Sequence, residues 1–170
     1  MMQSKDAVQI INWFNQADIS VWLDGGWGVD ALVGRQTRTH SDLDVVVWLD
    51  AVVKIKELLI KQGFIVKLDE LPTRFVMEDA HLRSIDFHTV KLDMAGNLVQ
   101  ILQNGILFHY PPGALNGQGI IDGHSVLCVT SEAQMLSHIG YQPLEKDIHN
   151  LRLLHQHFDL KVPMEYADLV

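Results

Sequence analysis

The sequence predicts an α+β fold in which a mixed, largely antiparallel sheet carries helices on its flanks. Apolar stripes at helical spacing occur near both ends of the chain. Glycines separate a short apolar run from a helix-like segment after residue 23, and short alternating segments follow one another from residue 64 to about residue 102. We expect a single domain spanning residues 1–170, with a core of about residues 1–129 and a helical part of about residues 130–170.

Helices and strands are expected to alternate in the first third of the chain. Ser4 is a suitable N-cap for a helix whose apolar stripe consists of Ala7, Ile10, Ile11, Phe14 and Ala17. A short strand at residues 21–23 precedes a second helix that ends at Gly34. After the strand that begins at Asp42, Asp50 is expected to cap a third helix ending at Gly63.

Strands are expected to dominate the middle of the chain and helices its end. The predicted strands cover residues 64–68, 74–78 and 84–90, with a return strand after a turn at residues 93–97. The prolines at 111 and 112 and the glycines of residues 117–123 indicate a long loop and a turn between short strands. Ser131 and Gln134 suggest a capping box for a helix ending near Gly140, and Pro143 begins another that reaches His157.

Two acidic residues stand at the start of the apolar run that ends at Trp48. Because successive strand residues point to opposite faces, Asp42 and Asp44 share one face of this strand. Carboxylates about 4–6 Å apart repel each other by a few kcal/mol at an effective dielectric constant near 20. Mg²⁺ offsets such repulsion and suits one or two protein carboxylates together with substrate phosphates. The pair therefore predicts a magnesium site, although Asp-x-Asp is also common in solvated turns.

A glycine pair lies between the short strand and the second helix. Gly25 and Gly26 allow the backbone to approach a ligand closely, and the free N–H groups and dipole of the following helix favour phosphate. The same residues suit an ordinary strand-to-helix turn equally well.

A third acid occurs in the alternating segment of residues 84–90. Asp86 and His88 fall on one face of this predicted strand, so Asp86 would complete a carboxylate cluster if the strand lay beside that of Asp42 and Asp44. His88 fits either a partner for a carboxylate or an ordinary half-exposed strand residue, and we favour the second interpretation.

Together, the glycine pair, Asp42-x-Asp44 sixteen positions after Gly26, and the distant Asp86 resemble the signature of the polymerase β-like nucleotidyltransferase superfamily. The segment WLDGGWGVDALVGRQTRTHSDLDV and the later IDFH are more closely similar to the small antibiotic nucleotidyltransferases, above all the lincosamide and next the aminoglycoside 2″ enzymes. Members of this group carry further acids after the Asp pair, where this chain has Val45-Val46-Val47-Trp48. That difference bears on the substrate more than on the metal site.

The resemblance implies transfer of a nucleoside monophosphate, usually AMP from ATP, to a drug hydroxyl with release of pyrophosphate. It implies that Asp42, Asp44 and Asp86 hold two Mg²⁺ ions and that Asp86 is the general base for the acceptor hydroxyl. Gly25 and Gly26 would line the triphosphate.

Basic residues that could contact the triphosphate lie in two segments. Arg35, Arg38 and His40 occupy the loop between the glycine pair and the acids, and we take Arg38 as the candidate, the others being compatible with a solvated loop. Lys146 resembles the lysine of a Lys-Asp pair that many members have near the phosphates.

A dinucleotide-binding fold is the main alternative for the glycine segment. Residues 26–31 fit G-x-G-x-x-A, and Asp44 follows at about the distance which that fold requires. In that fold, however, one acid follows the apolar run of the second strand, whereas here two acids precede it. Strand-helix alternation also stops after residue 63, which disfavours an oxidoreductase.

Composition and charge narrow the range of partners. The 170-residue chain has a net charge of −8 and lacks the clustered Lys and Arg of nucleic-acid-binding proteins. No apolar run approaches the roughly 20 residues of a membrane span, and we see no signal-peptide pattern. We therefore expect a cytoplasmic protein that binds neither nucleic acid nor membrane and attracts a cationic acceptor. The short length of the chain and the family resemblance also suggest a homodimer that completes the acceptor pocket, as a hypothesis.

The leading functional prediction is Mg²⁺-dependent nucleotidyl transfer to a small hydroxylated antibiotic, with a lincosamide as first choice and an aminoglycoside as second. A non-catalytic relative that binds nucleotide or a partner protein as a regulatory module is the third. The acidic residues of 69–70 and 78–79, together with Glu132, would line an acceptor pocket or belong to the ordinary surface.

Overall fold

A computed structural model describes all 170 residues, which form five α-helices and nine strands. The helices are α1 (Ser4–Gln16), α2 (Gly25–Val33), α3 (Val52–Lys61), α4 (Ser131–Ser137) and α5 (Glu145–Phe158). The strands are β1 (Trp22–Leu23), β2 (Asp42–Trp48), β3 (Ile65–Glu70), β4 (Arg74–Glu78), β5 (Ser84–Leu92), β6 (Leu98–Ile101), β7 (Leu107–His109), β8 (Gly117–Ile121) and β9 (His124–Cys128). None of the helices combines the length and apolar character needed to cross a membrane.

One sheet organises the molecule, with strand order β3-β4-β5-β2-β1-β9-β8. The pairs β2–β5 and β1–β9 are parallel and the other pairs are antiparallel. Strands β6 and β7 continue from the end of β5 as an antiparallel extension. This mixed, mostly antiparallel sheet with flanking helices confirms the predicted fold class.

The two faces of β2 have different surroundings, which determines where the acids lie. Leu43, Val45 and Val47 enter the largest hydrophobic core, where they join the apolar stripe of α1 and buried residues of α3, β4 and β5. On the opposite face, Val46 packs in a smaller cluster with Trp22 and Tyr110. Since Asp42 and Asp44 share the face of Val46, the carboxylates lie on the more open side of the sheet.

Most of the predicted helices and strands are present, but the residues predicted to cap three of the helices were wrong. Gln3 rather than Ser4 is the N-cap of α1, and its N–H donates to the Asp6 carboxylate. Asp50 lies in a 3₁₀ turn at Leu49–Ala51 instead of capping α3. Thr130, not Ser131, caps α4, because its hydroxyl accepts the N–H of Ala133.

The glycine-rich segment of residues 117–123 was predicted as a loop and a turn, but most of it is strand β8. At Gly119 the sheet meets α2 so closely that a Cβ would lie 2.5 Å from the carbonyl of Ala31. Glycine is therefore needed here for helix-sheet contact and not for a turn. Only Asp122 and Gly123, both with positive φ, form the predicted turn, joining β8 to β9.

A buried carboxylate at the end of β4 gives a first testable prediction. Asp79 accepts the backbone N–H groups of His81 and Arg83 and pairs with the Arg83 guanidinium at 2.7 Å. Burial alone would raise the pKa of Asp79, but these hydrogen bonds outweigh it and lower the pKa. We expect Asp79→Ala to reduce the free energy of unfolding by about 2–4 kcal/mol at neutral pH, because Arg83 and two N–H groups lose their acceptor.

Urea denaturation against pH measures this effect. Because the folded-state pKa of Asp79 is lowered, its contribution is complete above about pH 4 and disappears as the pH falls further. The difference between the wild type and Asp79→Ala should therefore shrink in acid. Asp50→Ala, which removes an exposed carboxylate, is the control. Equal unfolding midpoints for the two variants at pH 7 would contradict the prediction.

Candidate active site

Neighbouring strands bring the two most important acids together. In the parallel β2–β5 pair, Asp44 lies directly opposite Asp86, so both side chains leave the same face of the sheet. One carboxylate oxygen from each, together with a ring nitrogen of His88, lie within 4.8 Å of one another. Asp42 lies outside this group of three but lines the same cleft as Asp44. The cluster thus includes His88, for which an ordinary strand residue was the favoured interpretation.

Electrostatics within the cluster are unfavourable for negative charge. Burial and then the charge of Asp42 raise the pKa of Asp44 to about 7. His88 opposes this rise, and Asp24 and Asp86 add smaller contributions to it. Asp24, which precedes the glycine pair, is a fourth acid of the site that sequence reasoning missed. Its position next to Gly25 was the available signal.

The glycine pair is required by the protein's own side chains. Gly25 has a φ of +54°, and a Cβ on it would lie 2.5 Å from Oδ2 of Asp44. A Cβ on Gly26 would lie 2.2 Å from Nη2 of Arg38 and 2.5 Å from Nδ1 of His40. The absence of side chains therefore allows an acid of β2 and a cation of the loop to approach the N-terminus of α2, where free N–H groups favour phosphate.

The three basic residues of the loop between the glycine pair and Asp42 have different surroundings. His40 is buried, with Nε2 2.6 Å from the Asp30 carboxylate and its ring packed at a tilt against Trp27, at a centroid distance of 4.4 Å. Arg35 is exposed and lines a different, smaller cavity. Arg38 alone lines the main cleft beside the glycines.

Lys146 is exposed at the start of α5 and also lines the main cleft. The adjacent Asp147 is buried, accepts the N–H of Leu144 at 2.9 Å and lies 4.0 Å from Nε2 of His138. Lys146 therefore extends into the cleft next to a carboxylate that is fixed at the helix start.

The cleft itself has a volume of about 910 Å³. The glycine turn and the start of β2 form one side, the strands from β4 to β7 a second, and α4 and α5 a third. None of the acids suggested for an acceptor pocket, at positions 69–70, 78–79 and 132, lines it. Instead, the β4–β7 side presents Arg74, the amides of Gln100, Gln103 and Asn104, and two aromatic rings.

Arg74 is a second residue that sequence reasoning missed. Its Nη1 donates to Oδ2 of Asp86 at 2.7 Å, and its Nε donates to Glu70 at 2.9 Å. In the sequence it is only the first residue of a predicted strand, so no local pattern indicated its contact with the cluster.

The donor set fits a magnesium ion. Oδ1 of Asp86 is buried and has no hydrogen-bond partner. Burial and then the charge of Asp42 raise the pKa of Asp44, and a cation would offset that neighbouring charge. Carboxylate oxygens on a cleft with room for phosphates are the ligands Mg²⁺ prefers. Asp44, Asp86 and His88 are close enough to share an ion, and Asp42 lines the same cleft as a further candidate ligand.

Known proteins share this architecture. The sequence profile of the aminoglycoside-2″-adenylyltransferase family matches residues 6–154. A lincosamide resistance protein from Staphylococcus haemolyticus is 29% identical over 157 residues, which cover 92% of this chain and 91% of that protein.

Two solved structures have the same fold as this chain. The lincomycin-bound lincosamide antibiotic adenylyltransferase LnuA is 27% identical and superimposes with a TM-score of 0.79, covering 90% of this chain and 96% of its own. ANT(2″)-Ia, solved with adenylyl-2″-tobramycin, shares the fold with a TM-score of 0.75 at 23% identity, covering 93% of this chain and 90% of its own. The match of the family profile to most of the chain and the similarity to nucleotidyltransferases lead to one conclusion. This chain is an enzyme that belongs to the aminoglycoside-2″-adenylyltransferase family.

Proposed function

We propose that the protein transfers AMP from ATP, with Mg²⁺, to a hydroxyl group of a small antibiotic, most directly a lincosamide, and releases pyrophosphate. The observation that carries this proposal is the pairing of Asp86 with Asp44 beside a glycine turn, where Asp44 lines a cleft large enough for a nucleotide and an acceptor. The similarity over nine-tenths of the chain to a lincosamide adenylyltransferase supports the choice of acceptor.

Each side chain has a defined part in the proposed reaction. Asp86 accepts the proton of the acceptor hydroxyl while the oxygen of that hydroxyl attacks the α-phosphorus of ATP. The bond between the α-phosphorus and the bridging oxygen breaks, and its electron pair leaves with pyrophosphate. Two Mg²⁺ ions, held by Asp42, Asp44 and Asp86, would supply stabilisation of the negative charge on the phosphate oxygens.

The triphosphate would lie against the N-terminus of α2. Gly25 and Gly26 leave space for it, and the helix dipole favours its charge. Arg38 and Lys146, which line the cleft, would offset the remaining negative charge.

The lining of the cleft favours a weakly charged acceptor. Its β4–β7 side carries one cation, several amides and two aromatic rings. The nearby Glu70 is already engaged by Arg74 and Gln103. A lincosamide, with one amine and several hydroxyls, suits these groups better than a polycationic aminoglycoside. The aminoglycoside remains the second candidate, because the family profile and the net charge of −8 support it.

Incubation with ATP, Mg²⁺ and either lincomycin or tobramycin tests the proposal. We expect pyrophosphate release and a gain of one AMP in the mass of lincomycin, with little or no change in tobramycin. A product from tobramycin alone would reverse the order of acceptors. Failure to consume any nucleotide with a panel of acceptors would favour the non-catalytic regulatory alternative.

A reaction that uses ATP would take place in the cytoplasm, where nucleoside triphosphates are available. The whole chain would act as one domain, and the homodimer stays a prediction.

A further inference from the structure

Arg74 lies between the acid cluster and the β4–β7 side of the cleft. It stands opposite His88 in the antiparallel β4–β5 pair, so Asp86 is its diagonal neighbour on the same face. The guanidinium reaches across this diagonal and donates from Nη1 to Oδ2 of Asp86 at 2.7 Å. The cation therefore contacts the carboxylate to which we assign the role of general base.

Two further segments hold the guanidinium in place. Glu70, which faces Arg74 from β3, accepts its Nε at 2.9 Å. Gln103, in the turn between β6 and β7, donates to the same oxygen of Glu70 at 2.8 Å. A guanidinium is planar and donates in fixed directions, so contacts with Glu70 and Asp86 together determine its orientation.

The contact distinguishes the two oxygens of the Asp86 carboxylate. Oδ2 accepts the hydrogen bond from Arg74, whereas Oδ1 is buried without any hydrogen-bond partner. Buried polar atoms are nearly always satisfied in native proteins, so an unpartnered carboxylate oxygen beside Asp44 indicates an atom that meets a ligand.

We propose that Arg74 is a positioning residue for nucleotidyl transfer, which fixes Asp86 through Oδ2 and leaves Oδ1 as the oxygen that meets the reacting groups. This inference rests on the proposed function. It adds a requirement for a residue that acts on the reaction through Asp86.

Charge and orientation give Arg74 two opposite effects. Its positive charge beside the acids opposes binding of a divalent cation, whereas its hydrogen bond holds the base in one orientation. Arg74→Gln should therefore bind cations more tightly and yet transfer AMP more slowly. A purely structural ion pair would behave differently, because its loss would weaken stability, cation binding and rate together.

Mn²⁺ titration and steady-state kinetics of the full chain test this prediction. For Arg74→Gln we expect Mn²⁺ affinity to rise by about 3- to 10-fold, since one opposing charge is removed. We expect kcat to fall by about 10- to 100-fold, with the KM for ATP nearly unchanged, since loss of orientation affects the reacting geometry. Arg74→Lys keeps the positive charge but loses the planar guanidinium, which donates two hydrogen bonds in fixed directions. Its Mn²⁺ affinity should stay close to that of the wild type, and its kcat should lie between the kcat of the wild type and that of Arg74→Gln.

Lys67→Gln is the matched control. Lys67 is half-exposed and pairs with Glu78 at 3.4 Å, so this change removes the same charge from another β3–β4 ion pair of the sheet that does not line the cleft. It should leave Mn²⁺ affinity and kcat unchanged.

A kcat of Arg74→Gln within threefold of the wild type would overturn the inference, as would a joint loss of rate and Mn²⁺ affinity. If Arg74→Gln does not fold, Arg74→Lys decides the question. A wild-type kcat in Arg74→Lys would overturn the inference, and a reduced kcat at wild-type Mn²⁺ affinity would support it.

If the wild type transfers nucleotide to no acceptor, the proposed function fails. The Mn²⁺ titration then still tests Arg74, since unchanged affinity in Arg74→Gln would count against it.

Discussion

Replacement of Asp86 by asparagine should abolish pyrophosphate release while the protein stays folded. Loss of a general base alone lowers kcat by about 10²- to 10⁴-fold, and the amide is also a poorer ligand for the cation. We therefore expect a fall in kcat of about a thousandfold or more. Stability should change by only about 1 kcal/mol, because the ion pair with Arg74 is partly exposed and one repulsive charge beside Asp44 disappears at the same time.

A pyrophosphate assay and a thermal melt of the same preparation measure the two quantities. Asp50→Asn removes one carboxylate charge from an exposed position in the turn after β2 and should behave like the wild type in both. Wild-type turnover by Asp86→Asn would refute the assignment of the base.

Gly25→Ala should separate stability from activity. A Cβ at this position would lie 2.5 Å from Oδ2 of Asp44, which is the mobile end of a side chain. Rotation of Asp44 would relieve the contact with Oδ2, and its Cγ and Cβ, at 3.0 and 3.2 Å, would have to shift by only a few tenths of an ångström. The main stability loss is then the strain of a positive φ, about 1–2 kcal/mol. The rotated carboxylate would no longer lie beside Asp86, and we expect kcat to fall by about 100-fold or more.

Gly34→Ala supplies the comparison. Gly34 ends the same helix with a φ of +80°, and a Cβ there would meet nothing within 4 Å. Both alanine variants should lose similar stability in denaturant titrations, but only Gly25→Ala should lose activity. Equal activity of the two variants would show that the approach of Asp44 to the glycine turn is unimportant for the reaction.

Local sequence patterns were sufficient to find the strands that carry the acids. Alternation of polar and apolar residues placed Asp42 and Asp44 on one face of β2 and Asp86 on one face of β5. The parallel contact between the two strands does not follow from alternation, because any pair of strands with the same pattern could be neighbours. That the strands are adjacent was therefore an assumption, and the register of Asp44 with Asp86 supports it.

Residues whose roles depend on distant contacts were harder to recognise. Arg35, Arg38 and His40 look alike in a polar loop, and burial of His40 against Trp27 and Asp30 is what distinguishes them. Gly119 suggested a loop because glycine is common in turns, whereas its function is to let α2 approach the sheet. Such roles come from packing between elements, about which local composition says little.

The length of β5 has a consequence for how enzymes of this architecture could diversify. The first half of the strand carries Asp86, while its last residues, Lys91 and Leu92, pair with β6, from which part of the β4–β7 side of the cleft is built. Insertions or exchanges in the β6–β7 hairpin that keep Gln103 can reshape this side of the cleft without shifting the β2–β5 pairing that aligns the carboxylates. A lineage can thus alter which molecule it modifies while inheriting unchanged machinery for the phosphoryl chemistry.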